Sequence, residues 1–197
     1  MSRGSKTAIL VEGAVMAALA TVLSFVRIYK LPWGGSITLL SMLPIIIFSI
    51  RHGVKAGFGA AFVFSLIQFG QGVLDGLFAW GLTPGMLISC IFFDYIFAFT
   101  ALGIGGIFGK HGYTGKLVGA ALAVLLRFGC HFLSGVFVWK TVGDLWSGFS
   151  TDNVYVYSLC YNGSFMLPEL VFTLLAAAVV FKVTALDQNH KATKSEA

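Results

Sequence analysis

Between Thr7 and Tyr29 only Glu12 and Arg27 carry a formal charge, and the rest is almost wholly Ala, Val, Leu, Ile, Met and Phe. A run of this length and polarity matches the roughly 20 apolar residues that a helix needs to cross a bilayer. Comparable runs recur at Ser36 to Ile50, Ala56 to Leu74, Pro84 to Gly109, Lys116 to Val138 and Ser164 to Val183. Only 11% of the chain is charged, against about 25% for a soluble domain, so lipid is the expected solvent. The backbone of such segments is satisfied in lipid by helices or by closed barrels, and the run lengths select helices. The expected fold is a single all-α domain over residues 1–197, an integral membrane bundle of six transmembrane helices. The second segment is short and contains Pro44, so it is expected to be buried by its neighbours. The basic-then-apolar start resembles a signal peptide, but its apolar stretch is too long, and it is expected to be retained as the first helix.

Lysine and arginine give the orientation. With both termini on one face, that face holds Arg3, Lys6, Arg51, Lys55, Lys110, Lys116, Lys182, Lys191 and Lys194, while Arg27, Lys30, Arg127 and Lys140 fall elsewhere. Nine against four puts both termini in the cytoplasm. The connections on the other side, "YKLPWGGS", "DGLFAWGLTP" and the stretch from Trp139 to Ser164, are longer and aromatic, and binding is expected there. Cys90, Cys130 and Cys160 have no metal-ligand spacing, and a disulfide framework is not expected.

Ionisable residues inside membrane spans are costly and point to function. Glu12, Asp94, Arg127, His131 and Glu169 are such residues. At about 1.5 Å rise per residue, Asp94, His131 and Glu169 each lie roughly 20 Å from the cytoplasmic ends of their helices. Arg127 would sit one turn deeper, and Glu12 near the cytoplasmic end. The stretch "LLRFGCHFLSGVFVWK" sets Arg127, His131, Gly135 and Trp139 at four-residue intervals along one helix face. The structural alternatives are an Arg127–Asp94 ion pair and a core histidine bonded to a backbone carbonyl. With Trp33, Tyr95, Tyr157 and Asn162 added, the lining combines a carboxylate, an imidazole, an amide and aromatic faces. That chemistry fits a small, flat, positively charged heterocycle.

The segments "WGGSITLLSMLPI", "DYIFAFTALG", "HFLSGVFVW" and "YSLCYNGSFMLPEL" resemble the thiamine-specific S component of energy-coupling factor (ECF) vitamin transporters, over nearly the whole chain. The resemblance implies a six-helix S component whose pocket faces outward under a lid. It implies that Trp33 closes over the ligand, that Asp94 faces the thiazolium ring and that Trp139 stacks on the vitamin. Tyr95, Arg127, His131, Gly135, Tyr157 and Asn162 are the remaining substrate-binding positions, with Glu169 behind them. It further implies a partner, an energising module of one membrane scaffold protein and two ATPases, docking at Ala14 and Ala18 of the first helix.

This chain has no G-x-x-x-x-G-K-[ST] loop, so ATP hydrolysis is not expected of it, nor a cofactor or metal. Three competing readings are an S component for another vitamin or precursor, a self-sufficient exporter of aromatic cations, and an intramembrane enzyme using His131 with Asp94 or Glu169. For the last, no nucleophile motif or metal cluster is visible.

Overall fold

Backbone hydrogen bonding decides where apolar runs stop being helix, and it moves several of the expected ends, the sixth helix running on from the expected Val183 to Ser195. The computed structural model describes residues 6–195; the side chains of Trp33 and of residues 185–195 lie outside that description, as do Arg3 and the side chains of Lys191 and Lys194 from the charge tally. Its helices are α1 (Lys6–Phe25), α2 (Leu43–His52), α3 (Val54–Leu74), α4 (Pro84–Gly106), α5 (Gly112–Trp139) and α6 (Val154–Ser195). Five of the six are long and apolar enough to cross a membrane. Large apolar side chains lie open on their outer faces, among them Leu10, Val22, Leu74 and Val179, as lipid-facing surfaces require.

The first helix was expected to reach Tyr29, but it ends at Phe25. Residues Arg27–Lys30 instead form strand β1, antiparallel to β2 (Ser36–Thr38), so the start expected for the second helix is strand as well. In this hairpin the two strands satisfy each other's backbone groups. A second hairpin pairs β3 (Gly143–Trp146) with β4 (Phe149–Thr151). The sixth helix begins ten residues earlier than expected. Asn153 caps it, accepting from the backbone N–H of Tyr155 (2.9 Å) and Val156 (3.3 Å). Pro168 and Glu169, near the expected start at Ser164, therefore lie well inside α6.

The ten residues of α2 rise only about 15 Å, half of a bilayer core. Leu43, Pro44, Ile45, Ile46, Phe48 and Ser49 are all buried, so α2 is internal, as its shortness suggested. It turns directly into α3 through Gly53, whose φ of +89° an L side chain rarely adopts. Around α2 the bundle is tightly closed. The Ser49 hydroxyl donates to the Gly103 carbonyl (2.5 Å) and accepts from the Gly106 N–H (2.9 Å), tying α2 to α4. Ala17, Ala20, Ile45, Ile46, Phe64, Leu102, Ala123, Phe165 and Met166 form a core drawn from all six helices.

On the other side the polar sequence of β2 is fastened to α6. Fully buried Glu169 accepts from both the backbone N–H and the hydroxyl of Thr38, each at 2.6 Å. Losing an acceptor while its buried donor remains costs about 1–3 kcal/mol per group. Glu169→Leu is therefore expected to lower stability by at least that amount, and Glu169→Gln, which keeps one carbonyl acceptor, by less. Thermal unfolding of the purified variants in detergent checks the order.

Candidate functional site

Near the hairpins the bundle opens into a cavity of about 120 Å³, some ten times the ~10–15 Å³ that one ordered water needs. Asp94, Tyr95, Arg127, His131, Gly135, Trp139, Tyr157 and Asn162 all line it. The four-residue series on α5 is thus one continuous wall. Trp33 belongs to the short turn Pro32–Gly34 between the strands, but its side chain is outside the described residues.

Asp94 organises the wall. One of its oxygens accepts from His131 Nδ1 at 3.0 Å; the other accepts from the Ser134 hydroxyl at 2.5 Å and from Trp139 Nε1 at 3.1 Å. Because the carboxylate accepts, Nδ1 carries the shared proton, and in the neutral imidazole Nε2 is then an acceptor. That Nε2 is buried and has no hydrogen-bond partner among the described residues. The backbone on both sides of this constellation is wider than an α-helix. Residues Ile91–Phe97 of α4 and Gly135–Trp139 of α5 are π-helical. Such widened turns are rare and collect at functional sites. The regular-helix depth count did not include them.

Arg127 is not the partner of Asp94. Its guanidinium lies 4.1 Å from the centroid of the Phe99 ring, a cation–π contact at the cavity base. Its Nε and Nη1 are buried without hydrogen-bond partners among the described residues. Glu169 faces Thr38 and is absent from the lining. Glu12, near the start of α1, pairs with Arg51 (2.8 Å) and His52 (2.9 Å) at the end of α2, away from the cavity. Cys90, Cys130 and Cys160 are free thiols.

Gly135 lines the cavity, and a Cβ there would run into the Ser158 hydroxyl, with Asn162 Nδ2 at 3.2 Å. Its bareness lets α6 close on α5. Asn162 in turn donates to the His131 carbonyl (3.2 Å) and the Ser158 carbonyl (3.0 Å), which turns its amide oxygen away from those contacts. Tyr157 and Tyr161 stack with ring planes 10° apart, and the Tyr161 hydroxyl donates to the Pro32 carbonyl of the hairpin turn. Trp80 lies 5.8 Å from Trp139, centroid to centroid.

Several lining residues were not singled out from the sequence. Tyr161 follows Tyr157 by one helical turn, a spacing that carries meaning only because Val154 to Ser164 is helix. Gln68 and Gln71, in "FSLIQFGQGVL", are polar groups inside a span and line the cavity with Ser24. Arg27 (2.6 Å) and Lys30 (3.1 Å) both pair with Asp75 at the mouth, bridging β1 to the end of α3. A carboxylate held between aromatic faces, with acceptors and an amide close by, can hold a flat cation carrying hydrogen-bonding groups.

The comparisons with known proteins agree with this architecture. The profile of the thiamine transporter protein family matches residues 10–188. The sequence is 30% identical to the thiamine transporter ThiT of Bacillus subtilis, over 92% of this chain and 94% of that one. It is 25% identical to the thiamine transporter ThiT of Lacticaseibacillus paracasei, over 93% of this chain and 91% of that one. Among solved structures, ThiT from Listeria monocytogenes superposes with a TM-score of 0.70 at 24% identity, covering 92% of this chain and 97% of that one. The S component of a bacterial ECF transporter superposes with a TM-score of 0.52 at 15% identity, covering 95% and 99%, a likeness of fold. With the family profile spanning nearly all of its length, this six-helix membrane protein belongs to the thiamine transporter protein family.

Proposed function

We propose that the chain is the thiamine-binding S component of an ECF transporter in a bacterial plasma membrane, capturing the vitamin with high affinity from outside. Both termini then lie in the cytoplasm, in line with the lysine and arginine distribution, and the hairpin end faces out. The observation that carries this reading is the Asp94 carboxylate set in an aromatic cavity, in a chain of the thiamine transporter family. Asp94 supplies the charge opposite the thiazolium, and Trp139 offers a ring for stacking. His131 Nε2 and the Asn162 amide oxygen are acceptors suited to an amino group on the pyrimidine. Trp33 is the proposed lid residue, in the turn that Tyr161 holds by its Pro32 carbonyl.

Transport then needs an energising module, one membrane scaffold protein with two ATPases, and α1 is the proposed docking helix. Its two faces support this. Gly13, Ala17 and Ala20 turn inward, where a Cβ on Gly13 would lie 3.0 Å from the Phe48 ring. Ala14 and Ala18, about 100° round the helix from Gly13 and Ala17, are exposed. Small residues there let another helix approach closely.

Two experiments test the reading. Purified protein is expected to bind thiamine stoichiometrically with quenching of tryptophan fluorescence, and Asp94→Asn should weaken it selectively. Removing one partner of a desolvated charge pair costs about 2–5 kcal/mol, whereas a neutral analogue without the thiazolium charge loses only about 1 kcal/mol. Equal losses for both ligands, in protein whose melting shows it folded, would make Asp94 structural. For docking, the Ala14→Trp, Ala18→Trp double variant should lose ATP-driven uptake in cells that supply the module. Its equilibrium thiamine binding should stay within about twofold of wild type, since neither site packs inside the bundle; retained uptake rules out the docking face.

A further inference from the structure

The residues assigned so far leave one part of thiamine unread, the hydroxyethyl arm on its thiazolium ring, and one wall of the cavity unused. That wall is built by α1 and α3. Gln68 and Gln71 stand three residues apart on α3, both more than nine-tenths buried, facing Ser24 of α1, which is itself 1% exposed. Carboxamides inside a membrane span are expensive, and Met or Leu would fill the same space at no polar cost.

The hydrogen bonds fix which way these amides point. The Ser24 hydroxyl donates to the Thr21 carbonyl at 2.7 Å. Its oxygen is then the acceptor for Gln68 Nε2 at 3.0 Å and Gln71 Nε2 at 2.8 Å. Gln68 Nε2 is thereby drawn to α1, which leaves its carbonyl oxygen at the far side of the amide, while both ends of the Gln71 amide stay within reach of Ser24. Gln71 Oε1 remains 3.2 Å from Ser24, whereas Gln68 Oε1 makes no hydrogen bond among the described residues. Both glutamines line the cavity, on a wall separate from that of Asp94 and His131.

We infer that Gln68 and Gln71, anchored on Ser24, form a second polar subsite of the cavity that accepts a hydrogen bond from a neutral hydroxyl arm of the ligand. The inference rests on the thiamine reading and deepens it. Asp94 answers the ring's charge and cannot tell a hydroxyethyl arm from an ethyl one. A carbonyl oxygen set in an apolar span can, because an arm without the hydroxyl leaves it unpaired.

The test compares thiamine with its analogue in which the arm is ethyl, titrated by calorimetry into the full-length protein in detergent. Wild type is expected to bind thiamine about five- to tenfold more tightly than the ethyl analogue, the worth of one hydrogen bond. In Gln68→Met, and more fully in the Gln68→Met, Gln71→Met double variant, the two affinities should converge, through weaker thiamine binding with the analogue within about twofold of its wild-type value. Because each protein is compared with itself, a partly unfolded preparation does not disturb the ratio. A wild type that binds both ligands equally overturns the subsite and leaves the thiamine reading intact, as does a variant that keeps the full ratio or weakens both ligands alike. A wild type that binds neither overturns both.

Discussion

One carboxylate joins the two helices that carry the main polar wall of the cavity. Asp94 comes from α4, and all three of its donors come from α5, spaced over His131, Ser134 and Trp139. In water such bonds would be worth little, but in a membrane interior the carboxylate has few other sources of compensation. The same contacts that neutralise it also set the imidazole tautomer and orient the Trp139 ring. Positioning and folding are thus served by one interaction. The widened turns at Ile91–Phe97 and Gly135–Trp139 lie on its two sides, where the helices depart from regular geometry.

The hairpin above this site is held from three directions. Glu169 of α6 takes the backbone and hydroxyl of Thr38, Tyr161 takes the Pro32 carbonyl, and Asp75 after α3 takes Arg27 and Lys30. These fastenings differ in strength. The Glu169 contacts are fully buried, while the Asp75 pairs are partly exposed at the mouth and weaker for it. The hairpin is therefore anchored firmly at its β2 end and more loosely at β1.

The α5 wall was legible in the sequence because its signal is local: polar groups at four-residue spacing in an apolar run leave few alternatives to a shared helix face. The helix ends were less legible. Arg27 to Lys30 and Val154 to Asn162 mix apolar and polar residues in ways that suit helix, strand or loop, and tertiary partners decide between them. Counting residues from helix ends carried no information on direction around the helix, and Glu169 faces Thr38 rather than the cavity. The α1–α3 wall was missed for a different reason. A search for formal charge passes over glutamine and serine, although in lipid a neutral amide already demands a partner.

The shortness of α2 has a consequence for the size of the cavity. Ten residues reach about halfway across the hydrocarbon, and the chain covers the remainder as a hairpin and a bend rather than as helix. A bundle of full-length helices packs to the density of an organic crystal and leaves no room for a guest. Here the missing turns of one helix are the room: Ser36, Thr38 and Ser41, just ahead of α2, line the cavity. The pocket is a vacancy in the packing, walled on one side by the residues just ahead of α2 and by the hairpin glycines Gly34 and Gly35. Ligand capacity in this architecture is thus counted in helical turns left out.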